Sequence, residues 1–561
     1  MLISNNAIIM KTYILEISYQ RIVSFFAVLT VILLSGCEEG FLDKQPLDQL
    51  STNTFWKTEN DALMALTGVY YEEGNAYDYL FYSLWNQDTH MRLFEATTDN
   101  GKEKDNFVTL FNNGQLNQAN TIVAGLWATS YLKICKSNNF LDNIDKVEMD
   151  PVKKAQFIAE VKTIRAFDYF YMAFLWGDIP LVTKVQTIND ANNVTRTPRA
   201  EVISFVIDEL NSAITDLPET RPSVEKGRIT KAGALAILGR VQMAEKKWTD
   251  AVNTYKQIID MHIYSIDPRF KELFQVAGEN SAEIILSIKR VADIYGTQIQ
   301  RDCSPFTYGG YAQFAPFNEL VEDFECIDGK PINESPLYDP DKPYLNRDPR
   351  LYATFFIDRL TVFKGKLFVS TPDSSPSIYK DQLTRRNWTG IGLKKFCDES
   401  FTGSIASYGG DFTVVRYAEV LLSYLESNIE SGAVITQELL DQTINLVRGR
   451  TAVSMPPITE TDPSTLTTIL RRERRVELAW EGLRLYDLFR WHIAHVVMQG
   501  NFHGMKLCTV AEASTYTRFP VDANGYFFCE EDHFRENVDY LWPIPQTERD
   551  INPNLTQNPG Y

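Results

Sequence analysis

The densest run of ionisable side chains lies between Arg471 and Arg490, where Glu473, Glu477 and Glu481 fall four residues apart. On a helix that spacing puts three carboxylates on one face, and a pair of carboxylates across a cleft is the apparatus of glycoside hydrolysis. The same block supports a plainer reading. Arg474 with Glu477, Glu481 with Arg484, and Asp487 with Arg490 are i,i+3 pairs, each stabilising a helix by about 0.2–0.5 kcal/mol. The block is therefore read as architecture, and no catalytic residue is assigned. The histidines are His90, His262, His492, His495, His503 and His533. They form no HExxH, and His492 and His495 have no carboxylate at ligand spacing in the sequence, so no metal ligand is assigned. Neither a GxSxG elbow nor a GxxxxGK[ST] phosphate loop occurs. Asp339, Asp341 and Asp348 stand near carbonyl-rich turns, where a structural calcium ion is one option and a solvated loop the simpler one. No cofactor is expected. Asp522-Ala523-Asn524-Gly525 reads as a turn.

Capture of a carbohydrate asks for different side chains. Pyranose rings have apolar C–H faces that stack on Trp and Tyr, and hydroxyls that need fixed donors and acceptors. Trp85, Asn86, Asp88 and Arg92 supply both kinds in one short stretch, as do Tyr308 with Tyr311 and Asn387 with Trp388. The candidate ligand-binding residues are thus Trp85, Asp88, Arg92, Tyr308, Tyr311, Asn387 and Trp388. Ordinary packing is the competing role for each aromatic.

These side chains need a scaffold, and composition narrows what it can be. The chain has 561 residues, is 44% hydrophobic and 12% aromatic, and carries a formal charge of -18. Such a chain can bury a large core and lacks the basic footprint that nucleic acid requires. Near the start, Arg21 precedes an apolar run from Ile22 to Leu34, followed by Ser35-Gly36-Cys37. As a helix this run covers about 20 Å, short of the roughly 30 Å hydrocarbon core. It reads as the h-region of a signal peptide over residues 1–36, with Met10 as an alternative start. The pattern resembles a bacterial lipobox, which implies acyl chains on Cys37; two chains anchor stably where one does not. Glu38 and Glu39 resemble the acidic export tag of surface lipoproteins, implying display on the outer face of the outer membrane. Cys135, Cys303, Cys326, Cys397, Cys508 and Cys529 are scattered and contain no CxxC, so buried free thiols are expected.

Helical periodicity dominates the first half. Leu63, Leu66, Val69 and Tyr70 share a face over Asn60–Tyr71, with Thr58 as cap and Asp61 in the first turn. A second helix runs from about Val152 to Trp176 and stops at Gly177. Between Lys231 and Met261, Leu238, Gly239, Ala251, Tyr255 and Ile258 match the tetratricopeptide spacing. There a small Gly239 lets two helices approach. Val415–Val447 matches more loosely. From 267 to 413 turn residues and tyrosines rise, and Glu283–Lys289 alternates like a strand. Helices are expected again over Val415–Ser431, Gln437–Arg448 and Leu466–Trp491, followed by an extended tail.

Several blocks, in order, resemble the SusD/RagB family. They are Cys37 to Asp43, Arg165-Ala166 before Leu175 to Pro180, Thr230 to Ala232, Asp348 to Arg350, Arg416 to Leu422, Asn445 to Arg450, Arg472 to Leu478, Glu481 to Leu488, Trp542 to Pro545 and Asn552 to Tyr561. The resemblance covers the mature chain, 37–561. It implies a mainly α fold: one SusD-like unit with tetratricopeptide-like helical pairs, minor β structure and a loop-rich binding face, to which 267–413 contributes. It also implies a non-catalytic surface receptor that binds an oligosaccharide or polysaccharide and delivers it to a SusC-like TonB-dependent barrel. A peptide ligand, as in the RagB branch, and a surface glycoside hydrolase are the alternatives.

Overall fold

Thr58 opens the first helix, α1 (Glu59–Tyr70), with a capping box. Its hydroxyl accepts the Asp61 N–H and the Asp61 carboxylate returns the bond to the Thr58 N–H at 2.7 Å. Helices α2 (Thr121–Asn143) and α3 (Pro151–Trp176) follow. Asp150 caps α3 by accepting from Val152 and Lys153, Pro151 occupies the first turn, and Gly177 ends it at φ +73°. Then come α4 (Arg199–Asp216), α5 (Lys231–Ala244), α6 (Trp248–Asp260), α7 (Tyr417–Glu430), α8 (Pro463–Glu477) and α9 (Arg484–Trp491). This computed structural model describes residues 55–71, 83–104, 108–371, 381, 383 and 387–561. The expected signal peptide and Cys37 lie outside the described residues, as does the side chain of Asp88. The chain divides into two compact units, Met1–Lys57 and Thr58–Tyr561. Of the first, residues 55–57 are described, with Phe55 edge-on to Trp56.

Sequence neighbours are spatial neighbours along the helical row: α2 packs on α3, α3 on α4, α4 on α5, α5 on α6, α6 on α7, and α7 on α8. That is the contact pattern of stacked helical pairs. The α5/α6 pair closes as its spacing predicts. A Cβ on Gly239 would sit 2.4 Å from Cζ of Tyr255, so only glycine admits that ring, and Ala251, Tyr255 and Ile258 are all buried.

Two expected helices are broken. Gln437–Arg448 splits into Gln437–Gln442 and Ile444–Arg448 at Thr443, whose backbone is at φ -125°, ψ -99°. Leu466–Trp491 splits between α8 and α9, where Trp480 and Gly482 adopt φ +63° and +81°. The buried Glu95 carboxylate accepts the Gly482 and Leu483 N–H groups and fixes that turn.

The β structure is minor. Among the described residues it consists of two-stranded antiparallel sheets: β1 (Gly101–Glu103) with β3 (Phe314–Pro316), β2 (Ile284–Ile288) with β8 (Phe412–Arg416), β4 (Phe355–Phe356) with β7 (Gly392–Leu393), β5 (Val362–Phe363) with β6 (Lys366–Leu367), and β9 (Gly500–Lys506) with β10 (Tyr526–Asp532). The β9/β10 ribbon has no counterpart in the sequence reading. Its register shifts break the alternation that would have marked it. The six cysteines among the described residues are free thiols, but Cys135 is exposed and only Cys303, Cys326 and Cys397 of these are fully buried.

The charged block also differs from expectation. Apart from the half-buried Arg471, Arg472 and Arg475, its charged side chains are buried, and they pair across the fold. Arg474 joins Asp487 at 3.0 Å and Arg484 joins Asp99 at 2.7 Å, instead of Glu477 and Glu481; Asp487 with Arg490 forms as expected at 2.7 Å. Glu477 instead receives Arg350 at 2.8 Å, Arg416 at 2.7 Å and Arg450 at 2.5 Å. Arg416 also reaches Glu283 and Glu481, while Arg448 bridges Glu325 and Glu473. Burial by itself would raise the Glu477 carboxyl, but Arg450, Arg416 and Arg350 outweigh it and hold the group well below the usual carboxylate range. Burial brings Lys395, bonded to Glu481 at 2.5 Å, down to about 8.

Candidate functional site

Two lysines stand two residues apart at the end of β1. Lys102 lies inside the strand, and Lys104 extends the ladder with its N–H on the Gln313 carbonyl at 2.8 Å. Residues two apart in a strand point the same way and stand about 7 Å apart. Each ammonium meets an aromatic ring. Lys102 Nζ is 5.4 Å from the Trp388 ring centre and pairs with Glu530, and Lys104 Nζ is 4.8 Å from that of Phe306 and donates to the Tyr311 carbonyl at 3.4 Å. The Tyr311 ring lies under the Arg301 guanidinium at 4.4 Å. Trp388 and Tyr311 remain 40% and 43% exposed. Phe306 stacks with the Tyr311 ring at 6.4 Å, so the result is a strip with two partly exposed aromatic side chains flanked by charged groups.

Tight turns hold both rings out. The Asn387 side chain accepts from the N–H groups of Thr389 and Gly390 at 3.2 and 2.8 Å, and Gly390 takes φ +76°, so the chain reverses and lifts Trp388. On the other side, Asp381 accepts from Phe306 and Thr307, Gly309 takes φ +83°, and the Tyr311 N–H returns to the Arg301 carbonyl at 2.8 Å.

Of the other described candidate side chains, Trp85, Arg92 and Asn387 are buried and Tyr308 is half-buried. Trp85 packs at a tilt against the Phe167 ring and donates its indole N–H to Asp168 at 2.9 Å. Arg92 is buried, pairs with Glu103 and covers the Phe314 ring, so it joins β1 to β3 beneath the two lysines. Tyr308 is half-buried between Phe356 and Phe363, and its hydroxyl donates to the Lys366 carbonyl at 2.7 Å. Asn387 is buried in its turn. The structure thus sets Trp388 and its Asn387 turn at Lys102, sets Tyr311 at Lys104 and Arg301, and buries Trp85 and Arg92. Lys102, Lys104, Arg301 and Glu530 were missed. The one local signal was the alternation Lys102-Glu103-Lys104 after Gly101. Of the acidic trio, Asp348 is taken by Arg350 at 2.7 Å, while Asp339, half-buried, and Asp341, exposed, accept backbone N–H groups.

Titration at the strip follows from burial. Asp532, below Glu530 on β10, is pushed up to about 8 by burial and by Glu530. Burial raises the Tyr308 hydroxyl to about 12.

A family model described as the SusD family matches residues 282–561, and one described as "Starch-binding associating with outer membrane" matches 40–243. The solved SusD-like carbohydrate-binding protein of Bacteroides fragilis NCTC 9343 is 36% identical; the match covers 90% of this chain and 100% of that one, with a TM-score of 0.85. SusD-like protein P25 of Formosa agariphila is 26% identical over 83% of this chain and 88% of its own length. A laminarin-binding SusD-like protein shares the fold at a TM-score of 0.65 and 22% identity, over 90% of this chain and all of the other.

Proposed function

The chain belongs to the SusD/RagB family of non-catalytic, outer-membrane-associated surface proteins, and from that premise we propose that it captures an oligosaccharide on the strip bearing Tyr311 and Trp388. The observation that carries this reading is the pair of exposed rings set beside Lys102, Lys104, Arg301 and Glu530. Apolar sugar faces stack on the rings, and charged donors and acceptors take the hydroxyls. Carbohydrate binding in the 36% identical relative and laminarin binding in the more distant one support this ligand class. In this reading Cys37 carries the lipid anchor, Tyr308 and the Asn387 turn shape the face, and the bound glycan passes to a SusC-like TonB-dependent barrel.

The test is binding of the purified mature chain to a glycan array with a peptide library beside it. A glycan hit without release of reducing ends, lost in the Trp388→Ala and Tyr311→Ala chains, is the expected result. Binding confined to peptides, or glycan affinity unchanged in both variants, sinks it.

A further inference from the structure

Helix α9 ends on an unusual residue. His492 closes it in the left-handed region, φ 56°, ψ 46°, where glycine or asparagine is the common occupant. That backbone lays its imidazole on the Tyr540 ring, with centroids 4.2 Å apart. Three residues on, His495 stands in the short helix Ala494–Val497, its ring 5.4 Å from that of His492 and its Nδ1 2.8 Å from the Tyr540 hydroxyl. Glu536, from the segment after β10, brings a carboxylate oxygen to 3.5 Å from Nε2 of His495. One ligand atom from each of His492, His495 and Glu536 lies within 4.8 Å of the others.

We propose that His492, His495 and Glu536 bind one divalent transition ion of the zinc class, with water in the remaining positions. Two imidazoles and a carboxylate are the donor set such ions prefer, whereas calcium and magnesium favour oxygen alone. Tyr540 is placed as an outer partner. With the Nδ1 proton of His495 donated to its hydroxyl, Nε2 presents a lone pair on the side where Glu536 stands. A tetrahedral ion wants donors roughly 3.3 Å apart. The Glu536 side chain, 55% exposed, has room to close that difference, and His492 is open to solvent. The sequence hid the site because its carboxylate comes from beyond the β9/β10 ribbon. An ion here would clamp the end of α9 to the C-terminal segment, independently of the ligand strip.

The experiment is calorimetric titration of the purified, chelator-treated full chain with Zn2+, repeated with excess Ca2+. One ion per chain, an isotherm indifferent to Ca2+, and at least tenfold weaker binding in both His492→Asn and Glu536→Gln are expected. Asparagine tolerates the left-handed backbone, so His492→Asn removes the ligand and keeps the cap. Thermal melting in chelator should match between the variants and the parent, showing that the fold is intact. Absence of a one-to-one site in the parent overturns the proposal, as does undiminished affinity in folded His492→Asn and Glu536→Gln chains.

Discussion

Trp388 offers its ring to solvent beside Lys102, whereas Trp85 is turned inward onto Asp168. Trp388→Ala is expected to weaken glycan affinity about tenfold, roughly 1.4 kcal/mol, in a titration with whichever oligosaccharide the array identifies. Trp85→Phe should leave that affinity unchanged. The partner of Trp85 has its own signature. Burial pushes the Asp168 carboxyl up to about 7, above its ordinary value near 3.9. A raised carboxyl binds its proton more tightly in the folded state, so its contribution to stability is lost as pH climbs from about 4 to 7. Asp168→Asn keeps an acceptor for the indole and does not ionise. Urea midpoints measured from pH 4 to 8 should therefore show the variant gaining on the parent across that window, and parallel curves would refute the assignment. Residue types at both tryptophans were legible in the sequence. Which way each ring points was not, because Asp168 and Lys102 come from remote segments that only folding brings close.

At the scale of elements, glycines decide how helices meet and where they stop. Gly239→Ala drives a methyl into the Tyr255 ring and should cost about 1–3 kcal/mol as overpacking. Adding Tyr255→Leu should restore part of that loss, a coupling that thermal melting of the four chains in the cycle would reveal. Gly482 holds a left-handed turn with His90 against it. Gly482→Ala combines backbone strain of about 1–2 kcal/mol with a steric clash, so it should lower the melting temperature more than Gly68→Ala in α1, where the added methyl meets nothing. The α5/α6 pair and the caps of α1 and α3 were readable because their signals are local: spacing, a capping residue, a terminating glycine. The gap between α8 and α9 was not, since periodicity runs through it and the interruption depends on Glu95, far upstream.

Across the whole molecule, one buried set of arginines and glutamates joins the helical row to the loop-rich region. Glu477→Gln leaves Arg350, Arg416 and Arg450 short of counter-charge, and removal of one partner from such a set costs about 3–5 kcal/mol. The denaturation midpoint of the variant should fall accordingly. The pH dependence has the opposite sign to that of Asp168. With its folded value depressed, Glu477 contributes stability that is present above the ordinary carboxylate range and is lost as pH drops through and below about 4. Circular dichroism during acid titration should show the parent unfolding below that point. The ordered motif blocks made the fold class legible, and the same arginines and glutamates lie within several of them. Local pairing rules held for Asp487 with Arg490 but named the wrong partners for Arg474 and Arg484, because burial, invisible in a single sequence, rewards contacts between distant segments.

That set has a consequence for the order in which the chain can mature. Its members are drawn from Glu283, Glu325, Arg350, Lys395, Arg416, Arg448, Arg450 and the stretch Glu473 to Glu481. A polypeptide still lacking its final fifth would hold Lys395 without Glu481, and Arg350, Arg416 and Arg448 each with only one carboxylate, from Asp348, Glu283 and Glu325. The centre is therefore completed only by the last part of the chain, once Glu473, Glu477 and Glu481 supply the remaining carboxylates.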